Sequence, residues 1–298
     1  MTSESLDRGT TLQPVRRAAG RPSTGIGGSI RAIYIVWYRD LLRFWRDRAR
    51  IAASFAQPLL FLLIFGTGLS SALSAAGSAA GATGPVSYMQ FMYPGIIGMS
   101  VLFASVFGAM SILWDREFGF LKEVLVAPID RSAVAIGKAL GGATQAMIQG
   151  LILLVLAPIV GVQLTLESVL LLVPFVFLLA FALSAMGVAL ASRMRTMQGF
   201  QIVMNFLMMP MFFLSGALFP LAALPVWLTI LTRLNPATYG IDPIRRIILA
   251  PTLPPGASDQ VGLTIGGQVV PMAVEALVLV GFGLVMLGVA VRNFRKRD

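Results

Sequence analysis

Residues 168–191 read SVLLLVPFVFLLAFALSAMGVALA, twenty-four positions without a charge, bounded by Glu167 and Arg193. A helix rises about 1.5 Å per residue, so a run of this length crosses the roughly 30 Å hydrocarbon core of a bilayer. A water-soluble helix as long would carry a polar stripe, and this one has none. Five further apolar segments of similar length lie on either side, at 51–73, 91–113, 139–161, 198–219 and 271–291. The expected fold is an all-α membrane protein of six transmembrane helices, occupying 51–291.

Composition agrees. Of 298 residues 57% are hydrophobic and 12% charged, and the mean hydropathy is +0.83. Soluble domains carry about 25% charged residues. Cysteine and histidine are absent, which excludes disulfide and thiol chemistry and histidine-based metal or proton sites.

The net charge of +10 does not point to nucleic acid, because the basic residues flank apolar spans. With the N-terminus in the cytoplasm, the inner segments hold ten Lys or Arg in 1–50, four between spans two and three, two between four and five, and four in 292–298. Only Arg233, Arg245 and Arg246 fall outside. Twenty against three sets both ends inside by the positive-inside rule, in a bacterial cytoplasmic membrane crossed many times.

Residues 1–28 are polar, Arg- and Ser-rich, and lack the apolar core of a signal peptide. They are expected to be a disordered cytoplasmic tail, and 292–298 a basic tail. In 29–50, Ile30, Ile33, Tyr34, Trp37, Leu41, Phe44 and Trp45 recur at helical spacing. That periodicity predicts an amphipathic helix at the headgroup boundary. The plainer alternative is a basic flank to the first span.

The outer connections differ from one another. Residues 74–90 are uncharged and Ala/Gly/Ser-rich, a plain loop. The connection 220–270 contains two apolar stretches too short to cross, 221–234 and 237–249, separated by Asn235-Pro236. They predict an outer re-entrant helical hairpin, followed by an exposed loop over 257–270. Asp242 and Arg245 stand three apart and would share a helix face. Their pairing reads either as a gate or as a rim salt bridge of under about 1 kcal/mol.

Few residues can carry chemistry inside the spans. The sole acid in one is Glu275, near the outer interface, and its expected role is to reach the headgroups or pair with an outer arginine. The sole Gly-Lys pair, Gly137-Lys138, is followed by Ala139, with Ser132 where a phosphate loop needs glycine. Hence the chain does not hydrolyse ATP alone. Gln57-Pro58, Pro94-Gly95 and Pro210 mark expected kinks, while Gly137, Gly141 and Gly142 could permit close helix approach. Met204, Phe206, Met208, Met209, Phe212 and Phe213 make the fifth span soft and aromatic. They face either lipid and neighbouring helices or a lipophilic substrate path. In the second inner loop, Arg116 to Val126 can form a short helix, charged on one side and stopped by Pro128, suited to an interfacial linker or to docking a cytoplasmic partner.

From about residue 30 onward the chain resembles the type-2 ABC exporter permeases, the group that includes daunorubicin/doxorubicin-resistance permeases. The resemblance is carried by Phe213-Leu214-Ser215-Gly216-Ala217-Leu218-Phe219-Pro220, by Leu224-Pro225-Val226-Trp227-Leu228, and by Asn235-Pro236-Ala237-Thr238-Tyr239-Gly240-Ile241-Asp242 with Arg245. A second piece is Asp115-Arg116-Glu117-Phe118-Gly119 through Glu123 and Pro128, with Asp115 where the family has Glu. The resemblance implies a non-enzymatic permease that pairs with a second permease subunit and a cytoplasmic ATPase dimer. It also implies that Arg116, Glu117, Phe118, Gly119, Leu121 and Glu123 form the coupling helix. Asn235, Pro236, Tyr239, Asp242 and Arg245 are the residues expected in the outer hairpin if it acts as a gate. No cofactor is expected on this chain, ATP and magnesium belonging to the ATPase. The expected activity is ATP-driven export of a lipophilic compound or drug; the alternative cargo is a lipid-linked polysaccharide or other envelope lipid.

Overall fold

A computed structural model of the chain describes residues 26–80, 88–117, 130–219, 221, 224–252, 262–265 and 268–296. The described residues are almost entirely helical. In order they form α1 (Ile26–Arg46), α2 (Arg48–Ala80), α3 (Tyr88–Gly108), α4 (Met110–Glu117), α5 (Arg131–Val155), α6 (Leu166–Arg193), α7 (Met197–Phe213), α8 (Val226–Leu234), α9 (Thr238–Leu249) and α10 (Met272–Lys296). A two-stranded antiparallel ladder, β1 (Thr264–Ile265) and β2 (Gln268–Val269), precedes α10.

Among the described residues, five helical stretches are long and apolar enough to cross a membrane: α2, α3 with α4, α5, α6 and α10. The fifth expected span is shorter, because α7 stops at Phe213 rather than running to 219. Ser215 Oγ donates to Phe212 O and accepts from Ala217 N, and Gly216 turns left-handed at φ +75, which closes the helix. Successive long helices reverse direction. One end of the bundle therefore carries the termini of α4 and α6 and the start of α5; the other carries α8, α9 and the β ladder.

Helices α3, α5 and α6 pack against one another at the centre. Helix α1 lies on α5, α2 on α3, and α10 on α6. α1 buries Ala32, Val36, Asp40 and Phe44, one residue per turn, while Ile30, Tyr34, Tyr38 and Trp45 remain exposed. Its buried face meets glycines of α5. A Cβ on Gly137 would sit 2.8 Å from Val36 Cβ, and one on Gly141 3.3 Å from Asp40 Cβ. The expected role of these glycines in close approach is what the packing requires.

Several expected boundaries move. Helix α1 begins at Ile26, inside the expected tail, and α10 continues to Lys296, into the expected basic tail. α2 persists to Ala80 through the expected outer loop, since alanine is the best helix former. α5 starts eight residues before the expected third span and ends at Val155, where Pro158 sets a 3-10 turn and Gly161 adopts φ +79. Its N-cap is Asp130, whose carboxyl accepts from Ser132 N at 3.0 Å; the bonds from Ser132 hold that carboxyl below its ordinary range. α3 continues through Pro94 and is interrupted at Ala109, beside Gly187 of α6. Of the exposed loop expected over 257–270, residues 257–261 and 266–267 lie outside the described residues, while Leu263 and Val270 are buried and pack with Leu221. The two short helices expected between the fifth and sixth apolar runs are present as α8 and α9, with the turn between them at Asn235-Pro236.

Candidate functional site

Two clusters of buried charge mark the two ends of the bundle. At the end carrying the C-termini of α4 and α6, Lys138 near the start of α5 is buried between two carboxylates. Its Nζ lies 2.6 Å from Asp115 Oδ2 on α4 and 3.0 Å from Asp40 on α1, and donates to Ser111 Oγ at 3.1 Å. Arg39 and Arg43, half-exposed on α1, reach Asp115 at 2.7 and 3.3 Å, and Gln145 Nε2 donates to Asp40 O at 3.2 Å. Burying a carboxylate in a bundle is tolerable only with such compensation. Three helices are joined here by charge.

The next residue, Arg116, turns the other way. Its guanidinium donates to Met194 O, to Ser192 O at 3.3 Å and to Ala191 O at 3.5 Å, the last carbonyls of α6. A cation at a helix C-terminus satisfies orphan carbonyls and the helix dipole together. Glu117 is exposed. Of the other expected coupling residues, Phe118, Gly119, Leu121 and Glu123 lie outside the described residues. Helix α4, which residues 118–129 follow in the chain, is thus held to α1, α5 and α6.

At the opposite end, Asn235 donates from Nδ2 to Met211 O at 2.7 Å, and its Oδ1 accepts from Ala237 N at 3.1 Å. Thr238 Oγ1 donates to Leu214 O at 3.2 Å. Both side chains serve carbonyls that α7 leaves unpaired at its C-terminus. Pro236 completes the turn, and Tyr239 Oη donates to Arg233 O at 2.7 Å. Helix α9 is buried along nearly its whole length, whereas α8 exposes Val226, Trp227, Ile230 and Leu234.

The expected Asp242–Arg245 pair does not form. Asp242 pairs with Arg246, one turn on, at 3.1 Å, and accepts Leu263 N at 3.0 Å. Arg246 also donates to Val270 O at 3.0 Å and pairs with Glu275 of α10. Arg245 donates to Gly216 O and lies 4.6 Å over the Phe91 ring. Spacings of three and four both place an arginine on the face of Asp242, and the contacts of Arg246 with Val270 O and Glu275 decide between them. Glu275, fully buried, takes the role expected of it as partner to an outer arginine.

The expected substrate-path set divides by helical phase. Met204, Met208 and Phe212 are buried in the core, while Phe206, Met209 and Phe213 are exposed. Phe206 borders an apolar groove of about 590 Å³ between α6, α7, α8 and α10, with Met186, Met211, Leu231 and Phe282 among its walls. The other five members of the set do not line it.

Residues 31–249, which hold the whole first cluster and the outer hairpin, match the family described as ABC-2 type transporter. The chain belongs to this family. It is 31% identical over 218 residues to the transport permease ycf38 of Cyanophora paradoxa, covering 72% of this chain and 73% of the relative. It is 28% identical to nodulation protein J of Rhizobium leguminosarum bv. trifolii, covering 75% and 83%. It is 26% identical to the inner membrane transport permease YadH of Escherichia coli K12, covering 88% and 97%. The chain is accordingly a multi-pass membrane permease, a non-catalytic subunit that works with an ABC ATPase.

Proposed function

We propose that the permease exports a lipophilic compound from the cytoplasm or inner leaflet of a bacterial inner membrane, driven by ATP hydrolysis on the partner ATPase dimer. Six crossings with both ends inside, and a second permease subunit to complete the path, belong to this reading. The charge asymmetry supports the orientation, and the alternating direction of α2, α3, α5, α6, α7 and α10 supports six crossings. Magnesium and ATP would be held on the ATPase.

The observation that carries the reading is the network of Lys138, Asp40 and Asp115 at the C-terminal end of α4. A partner that displaces this helix cannot move it alone. Asp115 takes α1 and α5 with it, and Arg116 takes the end of α6. Motion then reaches the far end along α6 and α3, against which α9 is packed. There α9 acts as the gate, held shut by Asp242, Arg246 and Glu275. The apolar groove beside α7 favours a lipophilic cargo over a polysaccharide head.

The test is charge reversal at Glu117 and Glu123. Copurification with the ATPase or substrate-stimulated hydrolysis should fall while membrane insertion is retained. Wild-type levels of both would place docking elsewhere.

A further inference from the structure

A cavity of about 150 Å³ lies between α1, α2, α3 and α5, separate from the groove along α7. None of its twelve lining residues is charged, yet Ser54, Gln57, Ser100, Gln145 and Gln149 bring hydroxyls and carboxamides into a wall otherwise made of Phe, Met, Ala and Pro. Ser100 is the informative member. A helical serine in an apolar bundle ordinarily returns its hydroxyl to its own backbone, as Ser105 does to Val101 O and Ser54 to Ile51 O at 2.7 Å. Ser100, fully buried on α3, has no partner for its Oγ among the described residues. Such a hydroxyl costs about 1–3 kcal/mol unless something bonds it.

The amides are half committed. Gln145 Nε2 donates to Asp40 O at 3.2 Å and Gln149 Nε2 to Ser54 O at 2.9 Å. Each keeps its side-chain oxygen and a second N–H for a guest. Donors and acceptors without charge suit a neutral hydroxyl-bearing group, and an ionic one would be buried without a counter-charge. The Phe103 and Phe107 rings stack on each other at 6.2 Å rather than boxing a cation. Pockets for whole drug-sized molecules run to about 300–1,000 Å³, so this one takes a head and not a body. Ala53 and Gln57, also in the lining, are exposed on α2 and give the rest of the molecule a way out toward lipid.

We infer that this cavity is a binding site for the uncharged, hydroxyl-bearing head of an amphiphile whose apolar part lies along α2. The inference rests on the export reading only for calling that amphiphile a cargo; binding itself is independent of transport.

The chain has no cysteine, so Ala104→Cys on the cavity wall gives a single reporter. The full permease with its ATPase, in nanodiscs, is alkylated with N-ethylmaleimide in the presence of octyl glucoside, 1,2-octanediol or octyltrimethylammonium below their micellar concentrations. A neutral probe should slow alkylation about tenfold, and Ser100→Ala, which removes an unbonded hydroxyl and should fold at least as well, should restore the rate. Protection by the glucoside alone assigns a sugar head, and protection by both neutral probes assigns any hydroxyl-bearing lipophile. An unreactive thiol in the Ala104→Cys variant, no protection by either neutral probe, equal protection by the cation, or full protection surviving Ser100→Ala overturns the site. Protection without ATPase stimulation leaves the site standing and counts against export.

Discussion

Lys138→Met isolates the charge network that joins α4 to α1 and α5. The two side chains are close in volume, so packing is nearly conserved and the change removes one positive charge. Asp115 then retains Arg39 at 2.7 Å and Arg43 at 3.3 Å. Asp40 retains only Arg39, at 3.6 Å and already engaged with Asp115. Removing one partner of a buried ion pair costs about 3–5 kcal/mol. Because both arginines are half-exposed and compensate Asp115, the loss falls mainly on Asp40, which places the expected cost near ~3 kcal/mol. Denaturant unfolding of the purified permease, followed by tryptophan fluorescence, measures it. Asp40→Asn in the Lys138→Met background should recover part of the loss, with a coupling energy of about 0.5–3 kcal/mol between the two sites. A cost below about 1 kcal/mol, the range of exposed pairs, or strictly additive single changes, would refute the claim that the network is buried and joins α1 to α5.

Other outcomes follow from the same packing. Gly137→Val should lift α1 from α5 at a cost of about 1–3 kcal/mol, read as lower thermal stability and altered emission from Trp37, whose Nε1 donates to Thr144 Oγ1 at 3.0 Å; an unchanged spectrum and stability would show that α1 is not seated there. Arg246→Met leaves Asp242 and Glu275 facing each other and should destabilise more than Arg245→Gln, while Asp242→Asn should raise basal leak or unstimulated ATPase activity at normal expression. Unaltered leak in both Asp242→Asn and Arg246→Met would reduce α9 to a structural cap. Single cysteines at Ser78 and Ser258 should label from outside the cell, and at Ser3 and Thr196 only after permeabilisation; outside labelling at Thr196 would defeat the six-crossing topology.

Much of this molecule is written in its local sequence. The uncharged runs define the long helices, since a backbone in lipid must bond itself and a charge there is costly. The two short apolar stretches around Asn235-Pro236 define the hairpin, because proline removes a donor and restricts the residue before it. Even the glycines of α5 announce close approach. These features depend on neighbours along the chain, so they can be read from it. The termini of helices were read less well. The end of α7 is set locally by Ser215 and Gly216, but the carbonyls left there are served by Asn235 and Thr238, which arrive from a later segment.

Which charges meet was decided by tertiary structure alone. Asp40, Asp115 and Lys138 are distant in sequence, and each taken singly looks like an interfacial residue on its own segment. Only the seating of α1 on Gly137 and Gly141 brings Asp40 within 3.0 Å of Lys138. Likewise Asp242 has Arg245 and Arg246 within one turn, and local spacing permits either. Arg246 prevails because the packing of α10 and the β ladder puts Glu275 and Val270 O on its side of α9, while Phe91 and Gly216 O take Arg245 on the other. The sequence determined that these charges must be paired when buried; the arrangement of helices, set by apolar packing, determined with which partner.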